Sequence, residues 1–77
     1  MTVRERIRII RQYKKISTYE LSRLTGLGQS AISRMESGER KISVDDLILI
    51  SEALKTPVEA FFYDDKMLNV LRETWLL

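Results

Sequence analysis

The sequence predicts an all-α fold of five or six short helices. Three observations predict it. Apolar residues recur at spacings of three and four along almost the whole chain. Helix breakers are scarce, with three glycines and one proline in 77 residues. Cap-forming residues stand directly ahead of several of the apolar stripes.

The first helix is expected from about Val3 to Lys15. Val3, Ile7, Ile10 and Tyr13 lie on one side, with Arg4, Arg8, Lys14 and Lys15 elsewhere. Ser17-Thr18-Tyr19-Glu20 reads as a capping box, in which Ser17 accepts from the amide of Glu20 and Glu20 reaches back. It opens a second helix through about Leu24, with Leu21 and Leu24 facing inward. Gly26 can take the left-handed conformation that ends such a helix. A third helix follows from about Gln29 to Ser37, with Ile32 and Met35 inward and Gly38 as its stop.

After the loop Glu39-Arg40-Lys41-Ile42, Ser43-Val44-Asp45-Asp46 is a second box-like start. Its helix carries Val44, Leu47, Ile50, Ala53 and Leu54 on one stripe. Thr56-Pro57-Val58-Glu59 combines a Thr cap, proline at the first helical position and an acid at the third, and opens a short helix holding Val58, Phe61 and Phe62. Asp64-Asp65 caps an additional C-terminal helix from about Lys66 to Trp75, with Met67, Leu68, Val70, Leu71 and Trp75 as its apolar face. The expected organisation is one domain over residues 1–63 and a C-terminal helix over residues 64–77.

Composition narrows the function. A chain this short buries only about 60% of the surface its unfolded form exposes, so stability is marginal. There is no cysteine and no histidine. Disulfides are thereby excluded, and the commonest general base and metal ligand are missing. No catalytic residues, metal, cofactor or small-molecule ligand are expected. Asp45-Asp46 and Asp64-Asp65 are better explained as helix starts than as acid–base or metal pairs. A cysteine-free chain fits a reducing cytoplasm. The longest aliphatic run, Leu47-Ile48-Leu49-Ile50, is far short of the roughly 20 residues of a membrane helix, and the charged N-terminus lacks the apolar segment of a signal peptide. Charge is unevenly spread. Residues 1–41 carry ten Lys and Arg against four Asp and Glu, whereas residues 42–77 carry three against seven. A basic front half suggests a face for an anionic partner; the competing reading is ordinary surface variation.

Residues 18–36 form two short helices joined by a tight, glycine-containing turn, which is a helix-turn-helix. Leu21 and Leu24 anchor its first helix, Ser22 is small enough for a close crossing, and Leu27, Ile32 and Met35 fill the angle. With Glu36 and Gly38 closing the third helix, and Leu47–Leu54 followed by Pro57–Phe62, the chain resembles the Cro and phage-repressor type of helix-turn-helix protein, the XRE family, over roughly residues 4–62. The resemblance implies a compact five-helix, lambda-repressor-like domain that docks its third helix in the DNA major groove, usually as a symmetric dimer. This chain departs from the family pattern at Thr18, where glutamine is common, at Gly28, where a Ser or Thr cap is usual, and at Ser22, where alanine is usual.

The outward face of the third helix carries Gln29, Ser30, Ser33 and Arg34. The N-terminal part of a recognition helix reaches base edges. Gln29 can bond two adenine atoms at once and Arg34 can do the same with guanine, although Arg34 serves a phosphate equally well. Candidate phosphate contacts are Ser17 and Thr18 at the start of the second helix, Arg40 and Lys41 in the loop, and Arg11; Lys14, Lys15 and Arg23 are weaker. For each of these cations the alternative is a solubilising surface charge. The resemblance also implies an ion pair between Arg11 and Glu36.

The expected function is a sequence-specific transcriptional regulator, a repressor or autoregulator. It would act as a homodimer on a pseudo-palindromic operator of double-stranded DNA, and would be cytoplasmic, nucleoid-associated, and bacterial or phage-encoded. The short chain argues against an added ligand-binding or cleavage domain. The alternative is an antitoxin or protein-interaction module on the same scaffold. Val58, Phe62, Met67, Leu68, Leu71 and Trp75 are the candidate dimer interface, the C-terminal helix packing either on its own domain or on a second copy.

Overall fold

In the computed structural model, which describes residues 2–62, the chain forms α1 (Val3–Tyr13), α2 (Thr18–Thr25), α3 (Gln29–Ser37), α4 (Val44–Ala53) and a 3-10 helix, Val58–Phe62. The expected fifth α-helix is therefore a 3-10 turn. Its Ala60 amide donates to the Pro57 carbonyl at 3.0 Å. Five residues leave too few amide pairs to repay α-nucleation. Thr56, expected as its cap, instead donates its hydroxyl to the Leu54 carbonyl at the end of α4, at 3.0 Å. The C-terminal helix and the boundary at residue 64 lie outside the described residues.

Local chemistry explains where each helix begins and ends. Thr2 accepts from the Glu5 amide and caps α1. Ser17 caps α2 by accepting from the Glu20 amide at 3.0 Å, but the Glu20 carboxylate turns to Arg23 rather than back to the cap. At α4 both halves of the box are made: Ser43 accepts from the Asp46 amide at 3.0 Å and Asp46 from the Ser43 amide at 3.2 Å. Gly26 (φ 78°) and Gly38 (φ 89°) end α2 and α3 in the left-handed region. The chain takes the same conformation after α1 and α4 without glycine, at Lys15 (φ 59°) and Lys55 (φ 51°). A side chain there costs roughly 1–2 kcal/mol of backbone strain. The 6→1 bonds from the Ile16 amide to Arg11 and from the Thr56 amide to Ser51, each 3.0 Å, help to hold it.

Ile7, Ile10, Leu21, Ile32, Met35, Leu47, Ile50, Leu54, Ala60 and Phe61 form one core to which every element contributes. α3 packs on α1 and α2, α4 on α2, and the 3-10 helix on α1 and α4. Val3, Tyr13, Leu27 and Ala53 are half-buried against it, and two expected core residues are exposed. Leu24 is 49% exposed. The inward arc of α2 runs through Leu21, Thr25, Thr18 and Ser22, and Leu24 stands roughly a third of a turn from its centre. Val44 is 75% exposed. It begins α4, its Cβ points towards the helix N-terminus, and so it projects past the end of the stripe. Among the described residues no helix is long and apolar enough to cross a membrane.

Candidate nucleic-acid interface

α3 divides cleanly into two faces. Ile32 and Met35 are 99% buried against α1 and α2, while Gln29, Ser30, Ser33 and Arg34 are all exposed. The turn before α3 is held from within α2. The Thr25 hydroxyl donates to the Leu21 carbonyl at 2.7 Å and accepts from the Leu27 amide at 3.2 Å, and Ser22 donates to the Leu27 carbonyl. These bonds fix the angle at which α3 leaves α2. Gly28, the N-cap of α3, supplies no side-chain cap and has an ordinary φ of −65°.

The candidate residues fall into three groups. The first lies where α2 and α3 begin. Thr18 is half-buried and accepts a hydrogen bond from Gln29 Nε2 at 3.2 Å, so the two N-terminal turns are joined through side chains; Ser17, beside it, is exposed. The second lies at the far end of α3. Arg11 crosses from α1, with Nε 2.7 Å from Glu36 Oε2 and Nη2 2.9 Å from Oε1, while its Nη1 donates to the Ile16 carbonyl at 2.9 Å. Both side chains are about nine-tenths buried. This bidentate pair pins the end of α3 to α1.

The third group is the loop after α3. Arg40 and Lys41 are exposed, and the Arg40 guanidinium reaches Asp46 only at 3.9 Å. The weaker candidates are more committed. Arg23 is paired bidentately with Glu20, which raises its pKa. Lys14 donates to the Lys55 carbonyl at 3.4 Å, and burial, then the Lys55 charge, lower its pKa. Val58 is half-buried and Phe62 is 61% exposed; Met67, Leu68, Leu71 and Trp75 lie outside the described residues.

Two arginines escaped sequence reasoning. Arg6, only 8% exposed, donates from Nη1 to the Phe61 carbonyl at 3.4 Å and links α1 to the 3-10 helix. Arg4 lies over Gly38. The only hint of either was a cation-rich first helix, which does not say which cations turn inward.

This architecture, with two short helices across a left-handed glycine and a third helix that is apolar inside and polar outside, agrees with a helix-turn-helix family model that matches residues 7–61. The chain belongs to the XRE-type helix-turn-helix family. It is therefore a helix-turn-helix of the DNA-binding class, with α3 in the place of the recognition helix. Within that family it is similar to the HTH-type transcriptional repressor RghR of Bacillus subtilis, at 33% identity over 60 residues. The match covers 77% of this chain and 44% of that protein, so the chain matches less than half of that relative's length.

Proposed function

We propose that this domain regulates transcription by occupying a specific DNA operator, as a homodimer on a pseudo-palindromic site, and that it performs no catalysis. The observation that carries the reading is the recognition helix itself. Its inner face is sealed in the core, its far end is clamped by Arg11 and Glu36, and its outer face offers Gln29, Ser30, Ser33 and Arg34 to base edges. Ser17, Thr18, Arg40 and Lys41 flank it in positions to hold phosphates. Arg11 works mainly by fixing the helix that reads. Repression by occupancy is the natural mode for such a domain, and the repressor named above supports that sign.

Alanine at Gln29 or Arg34 should cost about 1–3 kcal/mol on the preferred site and relax preference at particular base pairs. Alanine at Arg40 or Lys41 should weaken binding to every duplex alike and flatten the salt dependence. Gel-shift titrations on specific and scrambled duplexes across a salt series separate the two classes. If Gln29 and Arg34 could both be removed with affinity and preference intact, α3 would not be the reading element. If no sequence-selective complex formed at all, the protein-interaction reading would replace this one.

The homodimer reading rests on exposed apolar surface. Phe62 stands out into solvent beside half-buried Val58, and α4 shows Val44, Ile48 and Leu49. Met67, Leu68, Leu71 and Trp75 follow in sequence and complete the proposed interface. A two-fold dimer sets two recognition helices about 34 Å apart, one turn of DNA. Deleting residues 66–77 should leave a folded monomer that gains nothing from a full site over a half-site. Sedimentation decides: a truncated chain that dimerises as tightly as the intact one would place the interface elsewhere.

A further inference from the structure

We propose that Arg4, on α1, is a further phosphate ligand of the DNA interface, resting against the open face of Gly38. This inference rests on the DNA-binding reading above and adds a residue from a different helix.

The first observation is steric. A Cβ built on Gly38 would stand 2.5 Å from Arg4 Nη1, 2.8 Å from Cζ and 3.2 Å from Nε. The guanidinium therefore occupies the space where any other residue's side chain would begin. Gly26 provides the contrast: it also ends a helix with positive φ, yet nothing lies within 4 Å of its missing Cβ. Left-handed backbone alone explains Gly26. At Gly38 the same backbone also leaves an open face, and the end of the Arg4 side chain lies over it.

The second observation is electrostatic. Arg4, Arg40 and Lys41 line one cleft of about 490 Å³ at the C-terminal end of α3, above an apolar floor that includes Met35 and Leu47. Among the described residues no carboxylate pairs with Arg4 or Lys41, and Arg40 has only Asp46 at 3.9 Å. Exposed cations lining one cleft give it a positive potential, which favours an entering anion. Gly38 immediately follows the recognition helix, so Arg4 is delivered to the same edge as the loop residues proposed to hold phosphates. The anion that fits there is a backbone phosphodiester of the bound duplex. The simpler role for Arg4, a cation beside the C-terminal carbonyls of α3, predicts an effect on folding and none on the salt dependence.

The test is a salt series of DNA-binding titrations on the full chain, run well below the melting temperature, for wild type, R4A, R4Q, R4K, G38A, R4A/G38A and R40A. Each lost phosphate contact lowers the slope of log affinity against log salt by about 0.9. In R4A and R4Q the affinity lost between 50 and 200 mM salt should therefore shrink by about 3.5-fold per protein copy, equally on specific and scrambled duplexes. R4K should keep the wild-type slope. G38A, which keeps the Arg4 charge, should keep the slope, and R4A/G38A should match R4A. If R40A flattens the slope and the neutral Arg4 variants do not, Arg4 is only a helix cap and the proposal is overturned while the interface stands. If none of them flattens it, the interface reading falls and this proposal with it.

Discussion

Replacing Glu36 with alanine should remove about 3–5 kcal/mol of folding stability, because it leaves a buried guanidinium without its counter-charge. The Arg11–Glu36 pair is bidentate, at 2.7 and 2.9 Å, with both side chains about nine-tenths buried. What remains to Arg11 after the substitution is the Ile16 carbonyl at 2.9 Å, one neutral acceptor for a full charge. Folded domains hold only about 5–15 kcal/mol in total, so a small domain should approach its unfolding threshold. The exposed pair Glu20–Arg23 is the internal control. Its geometry is also bidentate, but its side chains are 37% and 62% exposed, and breaking it should cost far less than breaking the buried pair. A Met and Leu replacement of Arg11 and Glu36 together should recover much of the loss, since neither charge is then stranded. Urea melts of R11M, E36L and the double variant give the coupling energy. A loss at Glu36 no larger than that at Glu20 would mean that the pair does not hold α3.

Replacing Phe61 with alanine should cost a similar amount, about 3–5 kcal/mol. Phe61 is fully buried where the 3-10 helix meets α1 and α4, and its own carbonyl takes the Arg6 hydrogen bond. Five residues of 3-10 helix have little stability of their own, so this ring is what docks the segment. The neighbouring Phe62, 61% exposed, should behave in the opposite way. Its alanine variant should leave the stability of the monomer within about 0.5 kcal/mol, while weakening self-association if Phe62 belongs to the dimer interface. Denaturant melts at low protein concentration, paired with sedimentation, separate the two effects. Equal destabilisation by both substitutions would contradict the division of this aromatic pair into core and surface.

Much of the fold was legible in the sequence, because its signals are local. Ser17, Ser43, Gly26 and Gly38 mark helix ends by chemistry that acts within a few residues, and all four do so in the structure. Ile7, Ile10, Leu21, Ile32, Met35, Leu47, Ile50 and Leu54 follow helical spacing and are buried. The departures have local causes as well. Lys15 and Lys55 take a conformation that glycine usually signals, so composition gave no warning. Leu24 and Val44 have the right residue type but fall at the margin of a short helix, where the inward arc is narrower than a periodicity suggests.

The interface was less legible than the fold. The helix that carries Gln29 and Arg34 can be named from the motif alone. The tie between Gln29 and Thr18, the burial of Arg6 and the seating of Arg4 on Gly38 depend on residues far apart in the chain. A single sequence carries no marker for such pairs. Nor does it separate a cation held for phosphate from one that is merely solvated, since both are lysine or arginine on an exposed surface.

The most direct test of whether α3 reads DNA sequence is selection of bound duplexes from a random pool, run in parallel for the wild-type chain and Gln29→Ala. The wild type should enrich an inverted repeat with half-sites about one helical turn apart. The variant should lose the preference at one symmetric pair of positions and keep the rest. A pool that stays random after selection, or a consensus that Gln29→Ala leaves unchanged, would contradict it.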